Sequence, residues 1–289
     1  MIKLIASDMD GTLLNNKHNI DDETVEAIRK AEENGIIFAI STGREYDNVE
    51  PFLKKHNIKC QCVLMNGAEY RDEDGKIIET INIENSKCRE IIDILQKEKI
   101  SARILTNKGL YTSDTREEAL KEMTYRTLAF NPEMSLEEAT EEAKKQPYFT
   151  MLKYITDMEE FLSSGIEIRK FVAFHNDLEL LNKAKEMIGK IDGLAISSSF
   201  KDNIEITDHS AQKGLILAKV TKEMGLERDE VMVLGDSFND YSMFTEFTET
   251  VAMENAIPEI KEIAKYITDT NDNLGVAKAI YKVIEEQSK

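Results

Sequence analysis

Two carboxylates two positions apart, Asp8 and Asp10, stand in the run Asp8-Met9-Asp10-Gly11-Thr12, directly after the apolar stretch Ile2–Ala6. At the carboxyl end of a buried parallel strand, a carboxylate faces the crevice where open α/β folds bind ligands. Asp8 can there attack phosphorus and form an aspartyl-phosphate, while Asp10 donates and then accepts a proton. Gly11 lets the chain turn sharply away from the strand. Taken alone, the run also reads as an ordinary Asp-Gly turn.

Three further segments carry compatible chemistry. Ser41-Thr42-Gly43-Arg44 ends an apolar run, and the Thr42 hydroxyl with the neighbouring backbone amides at a helix start suits phosphate oxygens, although a plain helix cap has the same look. Lys213, followed by Gly214, opens a helix; its ammonium could neutralise both a nucleophile and a transferring phosphoryl group, where the plain alternative is a solvated lysine. Gly235-Asp236-Ser237-Phe238-Asn239-Asp240 follows another apolar run. Asp236 suits Mg²⁺, which takes a carboxylate or two together with substrate oxygens and water. Asn239 could contact phosphate, and Asp240 could orient Lys213 or a metal-bound water.

The elements that must position these residues follow from hydrophobic periodicity. Ile2–Ala6 predicts a strand, Asp21–Glu33 an amphipathic helix with Asp21 or Asp22 as cap, and Gly35–Ile40 a second strand, which together form a βαβ unit. A helix over Val49–His56 and the run Cys62–Met65 repeat the scheme, giving a parallel sheet flanked by helices. The register returns with a helix over Gly214–Met224, a strand over Val231–Leu234, a helical turn over Tyr241–Phe244, short apolar runs at Ala252-Met253 and Tyr266-Ile267, and a closing helix over Val276–Glu285. Between these halves the pattern changes to charged helices such as Leu136–Lys145 and short strands such as Ala102–Leu105 and Ile168–Phe174. The expected organisation is one α/β domain from residues 1–82 and 198–289, with an α+β insert over 83–197. The turn Arg71–Lys76 belongs with the first domain, just before the insert. All four chemical segments fall in strand-to-helix loops, which share one edge of a parallel sheet.

Composition bounds the ligand. With 37 Lys plus Arg against 55 Asp plus Glu the net charge is 37 − 55 = −18, which repels nucleic acid and anionic membranes. A phosphorylated metabolite then needs local positive charge from a metal, a lysine or helix N-termini. The three cysteines, Cys60, Cys62 and Cys88, are too few for a disulfide framework, and the N-terminal apolar run is too short for a signal-peptide core, so a cytoplasmic location is expected. Cys60 and Cys62 read as buried thiols rather than metal ligands, and His175 and His209 as structural or solvated.

Taken in order, Asp8-Met9-Asp10-Gly11-Thr12-Leu13-Leu14, Ser41-Thr42-Gly43-Arg44, Lys213-Gly214 and Gly235–Asp240 resemble the motifs of the haloacid dehalogenase (HAD) superfamily, and within it the Cof-type phosphatases with a type IIB cap. Met65-Asn66-Gly67-Ala68 and Val251–Ala256 are similar to two further segments of that family. The resemblance spans nearly the whole chain. It implies a Rossmann-like core with an inserted α/β cap, and Mg²⁺ held by Asp8, the Asp10 backbone carbonyl and Asp236. It implies Asp8 as nucleophile, Asp10 as acid and base, and Thr42, Lys213 and Asn239 as phosphate holders. Asn273 departs from the family, which commonly has Asp before the following Gly-containing turn. The expected reaction is hydrolysis of small phosphomonoesters, sugar phosphates first and nucleotide or vitamin phosphates next. A sugar phosphomutase and a catalytically silent ligand-binding protein are the alternatives.

Overall fold

The computed structural model describes residues 1–288; Lys289, the last residue of the expected second core segment, lies outside the described residues. The chain divides into two compact units, Met1–Ile81 with His209–Lys289, and Asn82–Asp208. The first boundary lies one residue from the sequence expectation at 82 and 83. The second lies eleven residues beyond the expected 197 and 198, because the strand Asn203–Asp208 pairs antiparallel with Leu194–Ser197 and Ile168–Phe174 and so completes the insert's sheet.

Over the described residues the first unit holds an eight-stranded sheet. Its central strand Leu4–Ser7 is buried along its whole length and pairs in parallel with Ile37–Ser41 on one side and Val231–Gly235 on the other. The parallel sheet continues through Gln61–Leu64 at one side, and through Glu249–Ala252 and Tyr266–Ile267 at the other. Runs such as Leu4-Ile5-Ala6 and Val231-Met232-Val233-Leu234 carry no alternating polar residues, as a sheet covered on both faces requires. Helices Asp22–Glu33 and Gly275–Gln287 pack together, as do Lys213–Glu223 and Tyr241–Glu246. The apolar core of this unit includes Phe38, Ile40, Leu64, Leu234 and Ile280. Asp21 takes the cap position of the first helix without a side-chain cap hydrogen bond, because its carboxylate accepts from Asn15 instead.

Glu69–Arg71 and Ile77–Thr80 form an antiparallel hairpin at the sheet edge. The intervening turn, expected from Arg71–Lys76, is tied by the Asp72 carboxylate, which accepts from the amides of Asp74 and Lys76.

The second unit has a six-stranded, mostly antiparallel sheet in the order Leu194–Ser197, Asn203–Asp208, Ile168–Phe174, Ser101–Thr106, Gly109–Thr112 and Lys153–Tyr154. Helices Asn85–Lys97 and Leu178–Ile188 bury Ile91, Leu95, Leu181 and Ile188 with Ile104, Phe171 and Ile206 of the sheet. Helices Arg116–Phe130 and Leu136–Ala143 pack on each other, each opened by a capping box, Thr115 with Glu118 and Ser135 with Glu138.

Candidate active site

The central strand lies between the strand that follows it in sequence and Val231–Gly235 of the C-terminal half, and the chain runs from these two adjacent strands toward opposite sides of the sheet. Such a switch point opens a crevice at the carboxyl ends of the strands. Ser7 is level with Leu234 and with Ile40, so Asp8, Asp236 and Thr42 leave their strands at one edge.

Lys213 is the first residue of its helix and has no exposed surface. Its Nζ donates to Asp8 Oδ1 at 2.6 Å and to Asp240 Oδ1 at 2.7 Å. Burial alone would lower this ammonium, but Asp240 and Asp8 outweigh it and hold Lys213 above its ordinary value. The helix start is set by close backbone packing. A side chain at Gly214 would run into the Ser242 backbone, and the Gly214 amide donates to Ser242 Oγ at 2.9 Å. A side chain at Gly67 would strike the backbone of Gln212.

Asp240 Oδ2 accepts the backbone amides of Asp236 at 2.8 Å and Ser237 at 3.0 Å. Of the two roles open to it from sequence, Asp240 therefore stands on Lys213. Asp236 is gripped by two hydroxyls, Thr12 Oγ1 on Oδ1 at 2.9 Å and Ser237 Oγ on Oδ2 at 2.8 Å. Neither hydroxyl entered the sequence reading as a site residue. Their signal was position, since each short polar side chain lies within four residues of a strand-end aspartate.

Carboxylate oxygens of Asp8, Asp236 and Asp240 lie within 4.8 Å of one another. Burial pushes Asp8 well above the usual carboxylate range; Lys213 opposes this, while Asp240, Asp236 and Asp10 add to it. Burial first, and then Asp240, push Asp236 up to about 7. Two buried carboxylates raised in this way, beside one lysine, have the donor set and the charge deficit that a small divalent cation relieves. Asp240 has both oxygens committed to Lys213 and to backbone amides, which leaves Asp8 and Asp236 as the carboxylates available to a metal.

Asp10 is turned to Arg44, whose Nε and Nη2 donate to its two oxygens at 2.7 and 2.6 Å. Arg44 in turn packs its guanidinium toward the Phe52 ring. Thr42 is fully buried, with its amide on the Val63 carbonyl, its carbonyl accepting from Asn66, and its hydroxyl accepting from the Arg44 amide at 3.3 Å. Gly43 lies between these two residues. Asn239 is buried in the turn Phe238–Asp240. Among the described residues no side-chain hydrogen bond joins Thr42 or Asn239 to Asp8 or Lys213.

Gly11 has φ +78°, and a Cβ there would come within 2.5 Å of Asp236 Oδ2. Asn255 Nδ2 donates to the Gly11 carbonyl at 2.7 Å, while its Oδ1 accepts from the Asn271 amide at 2.9 Å. Asn271 Nδ2 reaches the Leu14 carbonyl at 2.9 Å. The Val251–Ala256 segment thus pins the loop that carries Asp8 and Asp10. Among the expected non-site residues, Cys60, Cys62 and Cys88 are buried free thiols. No helix among the described residues is long and apolar enough to cross a membrane.

Residues 5–280 match the haloacid dehalogenase-like hydrolase family. The chain is 32% identical over 278 residues to the phosphatase YwpJ of Bacillus subtilis, covering 96% of this chain and 98% of that protein. It is also 32% identical over 286 residues to the 5-amino-6-(5-phospho-D-ribitylamino)uracil phosphatase YwtE of the same organism, covering 99% of each. A solved haloacid dehalogenase-like hydrolase from B. subtilis superposes with a TM-score of 0.84 at 31% identity, over 97% of this chain and 99% of that one. On the strength of this end-to-end match and the aspartate and lysine cluster at the sheet edge, the chain belongs to the haloacid dehalogenase-like hydrolase family and, within it, to the phosphatases.

Proposed function

We propose that the chain hydrolyses small phosphomonoesters with Mg²⁺ through an aspartyl-phosphate on Asp8. The observation that carries this reading is the fully buried Lys213 ammonium between Asp8 and Asp240, with Asp236 alongside. A nucleophilic carboxylate and a phosphate ester are both anionic, and an ammonium together with a metal at the same point removes the repulsion between them. Asp8, Asp236 and the Asp10 backbone carbonyl would hold the Mg²⁺, which when bound supplies Lewis-acid charge neutralisation of the phosphoryl oxygens.

In the first step an Asp8 oxygen forms a bond to phosphorus as the ester P–O bond breaks, and Asp10 gives its proton to the departing oxygen. In the second step Asp10 takes a proton from water as the water oxygen attacks phosphorus, releasing phosphate and restoring the Asp8 carboxylate. Both Asp10 oxygens accept from Arg44, so proton delivery requires Asp10 to give up one of these bonds. Lys213 holds Asp8 in place and stays charged throughout, which suits a fixed electrostatic role rather than proton transfer. Thr42, the Gly43 amide and Asn239 supply further donors to the phosphoryl oxygens.

Substrate choice rests on the relatives. YwtE, which matches the chain end to end, is named for a ribitylamino-uracil phosphate, which favours a phosphorylated sugar or sugar alcohol over other monoesters. The test is phosphate release from a panel of sugar, sugar-alcohol, nucleotide and vitamin monophosphates with Mg²⁺, run beside Asp8→Asn. Turnover of sugar-type esters that is lost in the variant supports the reading, and equal turnover in both proteins removes Asp8 as nucleophile.

A further inference from the structure

The second unit contains a cavity of about 520 Å³, lined entirely by its own residues, in the size range of small-molecule sites, ~300–1,000 Å³. At its wall lies Arg126. The guanidinium stacks on the Phe174 ring at 3.8 Å, and its side chain keeps 24% exposure. Among the described residues Arg126 makes no hydrogen bond; its nearest carboxylate oxygen, Glu122 Oε1, is 3.7 Å from Nε. A largely buried guanidinium normally has its five donors filled, since leaving bonds of a buried charged group unmade is costly.

Glu122 has the complementary vacancy. Its Oε2 accepts from Arg103 at 2.9 Å, while its Oε1 is buried without a hydrogen-bond partner. Burial, with Arg103 second, pulls Arg126 down to about 10, against the opposing charges of Glu122 and Asp202. Lys99 and Lys121 also line the cavity and are exposed, with no ion pair among the described residues. Of the other two carboxylates at the wall, Glu118 already accepts from Thr115 at its own helix start, and Asp202 faces Arg126 without a hydrogen bond.

We propose that this cavity binds a small hydroxylated anion, a carboxylate or phosphate taken by the Arg126 fork, with a ligand hydroxyl donating to Glu122 Oε1. Arg binds such groups in bidentate fashion, and Phe174 fixes the plane of the fork. Lys99 and Lys121 add attraction at the rim. The site stands on these contacts alone and does not depend on the assignment of Asp8. Its ligand is a separate small effector held within the second unit.

The test titrates the full chain, without metal, with D-gluconate as probe, by calorimetry. Saturable one-to-one binding is expected, weakened at least fivefold in Arg126→Lys and unchanged in Asp8→Asn. Lys121→Ala, a change at an exposed position, weakens binding two- to threefold and covers the case in which Arg126→Lys misfolds. Absence of saturable binding, or equal affinity in wild type and both cavity variants, overturns the site.

Discussion

Lys213 Nζ bridges Asp8 and Asp240 at 2.6 and 2.7 Å with no exposed surface on the lysine. Replacing it by Met leaves buried carboxylates without their cation, a change that costs ~3–5 kcal/mol when one partner of a buried pair is removed. Lys213→Met is expected to unfold at lower urea, with a larger deficit at pH 8 than at pH 5, because acid neutralises Asp236, which lies at about 7 and which Lys213 helps to hold down. Its kcat is expected to fall by ~10²–10³ or more, the effect of losing one preorganised electrostatic group. Urea unfolding at the two pH values and steady-state kinetics read both effects.

Asp236, at about 7, gives up a proton when it takes a cation. Mg²⁺ is therefore expected to raise the thermal midpoint of the chain, by mass action on the folded state. The Mg²⁺ concentration needed should increase by up to ~10-fold per pH unit below 7, the limit for release of one proton. Asp236→Asn abolishes the Mg²⁺ response. Thermal melts in a Mg²⁺ series at pH 6, 7 and 8 check this without any substrate.

At Gly11 two constraints coincide, a positive φ of +78° and contact with Asp236. Ala there costs ~1 kcal/mol in backbone strain and displaces the carboxylate as well. Gly11→Ala is expected to lose a few degrees of thermal midpoint yet at least tenfold in Mg²⁺ affinity and in kcat/KM. A loss confined to stability would show that Gly11 serves only the turn.

In the second unit, burial pushes Asp114 up to about 6, against hydrogen bonds from Ser101 and Thr112. Its unfolded value is near ~4, so between these values the folded chain binds more protons than the unfolded chain. The contribution is full below pH ~4 and is lost as pH rises through 6. At ~1.4 kcal/mol per unit the loss is about 2–3 kcal/mol. Asp114→Asn should remove it, so that the variant's stability advantage over wild type grows from pH 4 to pH 7. Urea midpoints across that range provide the check, and a constant difference would contradict it.

The parallel core was legible because its strands are buried on both faces and read as unbroken apolar runs, as at Val231–Leu234. The strand Asn203–Asp208 alternates Ile204 and Ile206 with Asn203, Glu205 and Thr207, which is a strand pattern, but nothing in it says that the polar face is also buried or which unit's sheet it joins. That mixed pattern has no clear owner in sequence and shifted the domain boundary. Within the site, residue types announced Asp8, Asp10, Lys213 and Asp236. What sequence left open was pairing: Asp240 on Lys213, Arg44 on Asp10, and the hydroxyls of Thr12 and Ser237 on Asp236. Thr12 and Asp236 lie 224 residues apart, Asp10 and Arg44 34, and Lys213 and Asp240 27, and these loops meet only at the sheet edge; Ser237 is next to Asp236, but the direction of its hydroxyl is set by the fold. Lys213 itself could be read as a surface lysine until the packing of Gly214 on Ser242 showed why it is buried.

The central claim is a covalent phosphoryl group on Asp8. An acyl phosphate is reduced by borohydride to an alcohol, which converts a phosphorylated aspartate to homoserine. The measurement is peptide mass spectrometry after a single turnover of a sugar phosphate with Mg²⁺, quenched in acid and then reduced. Homoserine at position 8, absent without substrate and absent at Asp10 and Asp236, is the predicted result. Efficient phosphate release with an unmodified Asp8 at every quench time, or homoserine at another aspartate, would contradict it.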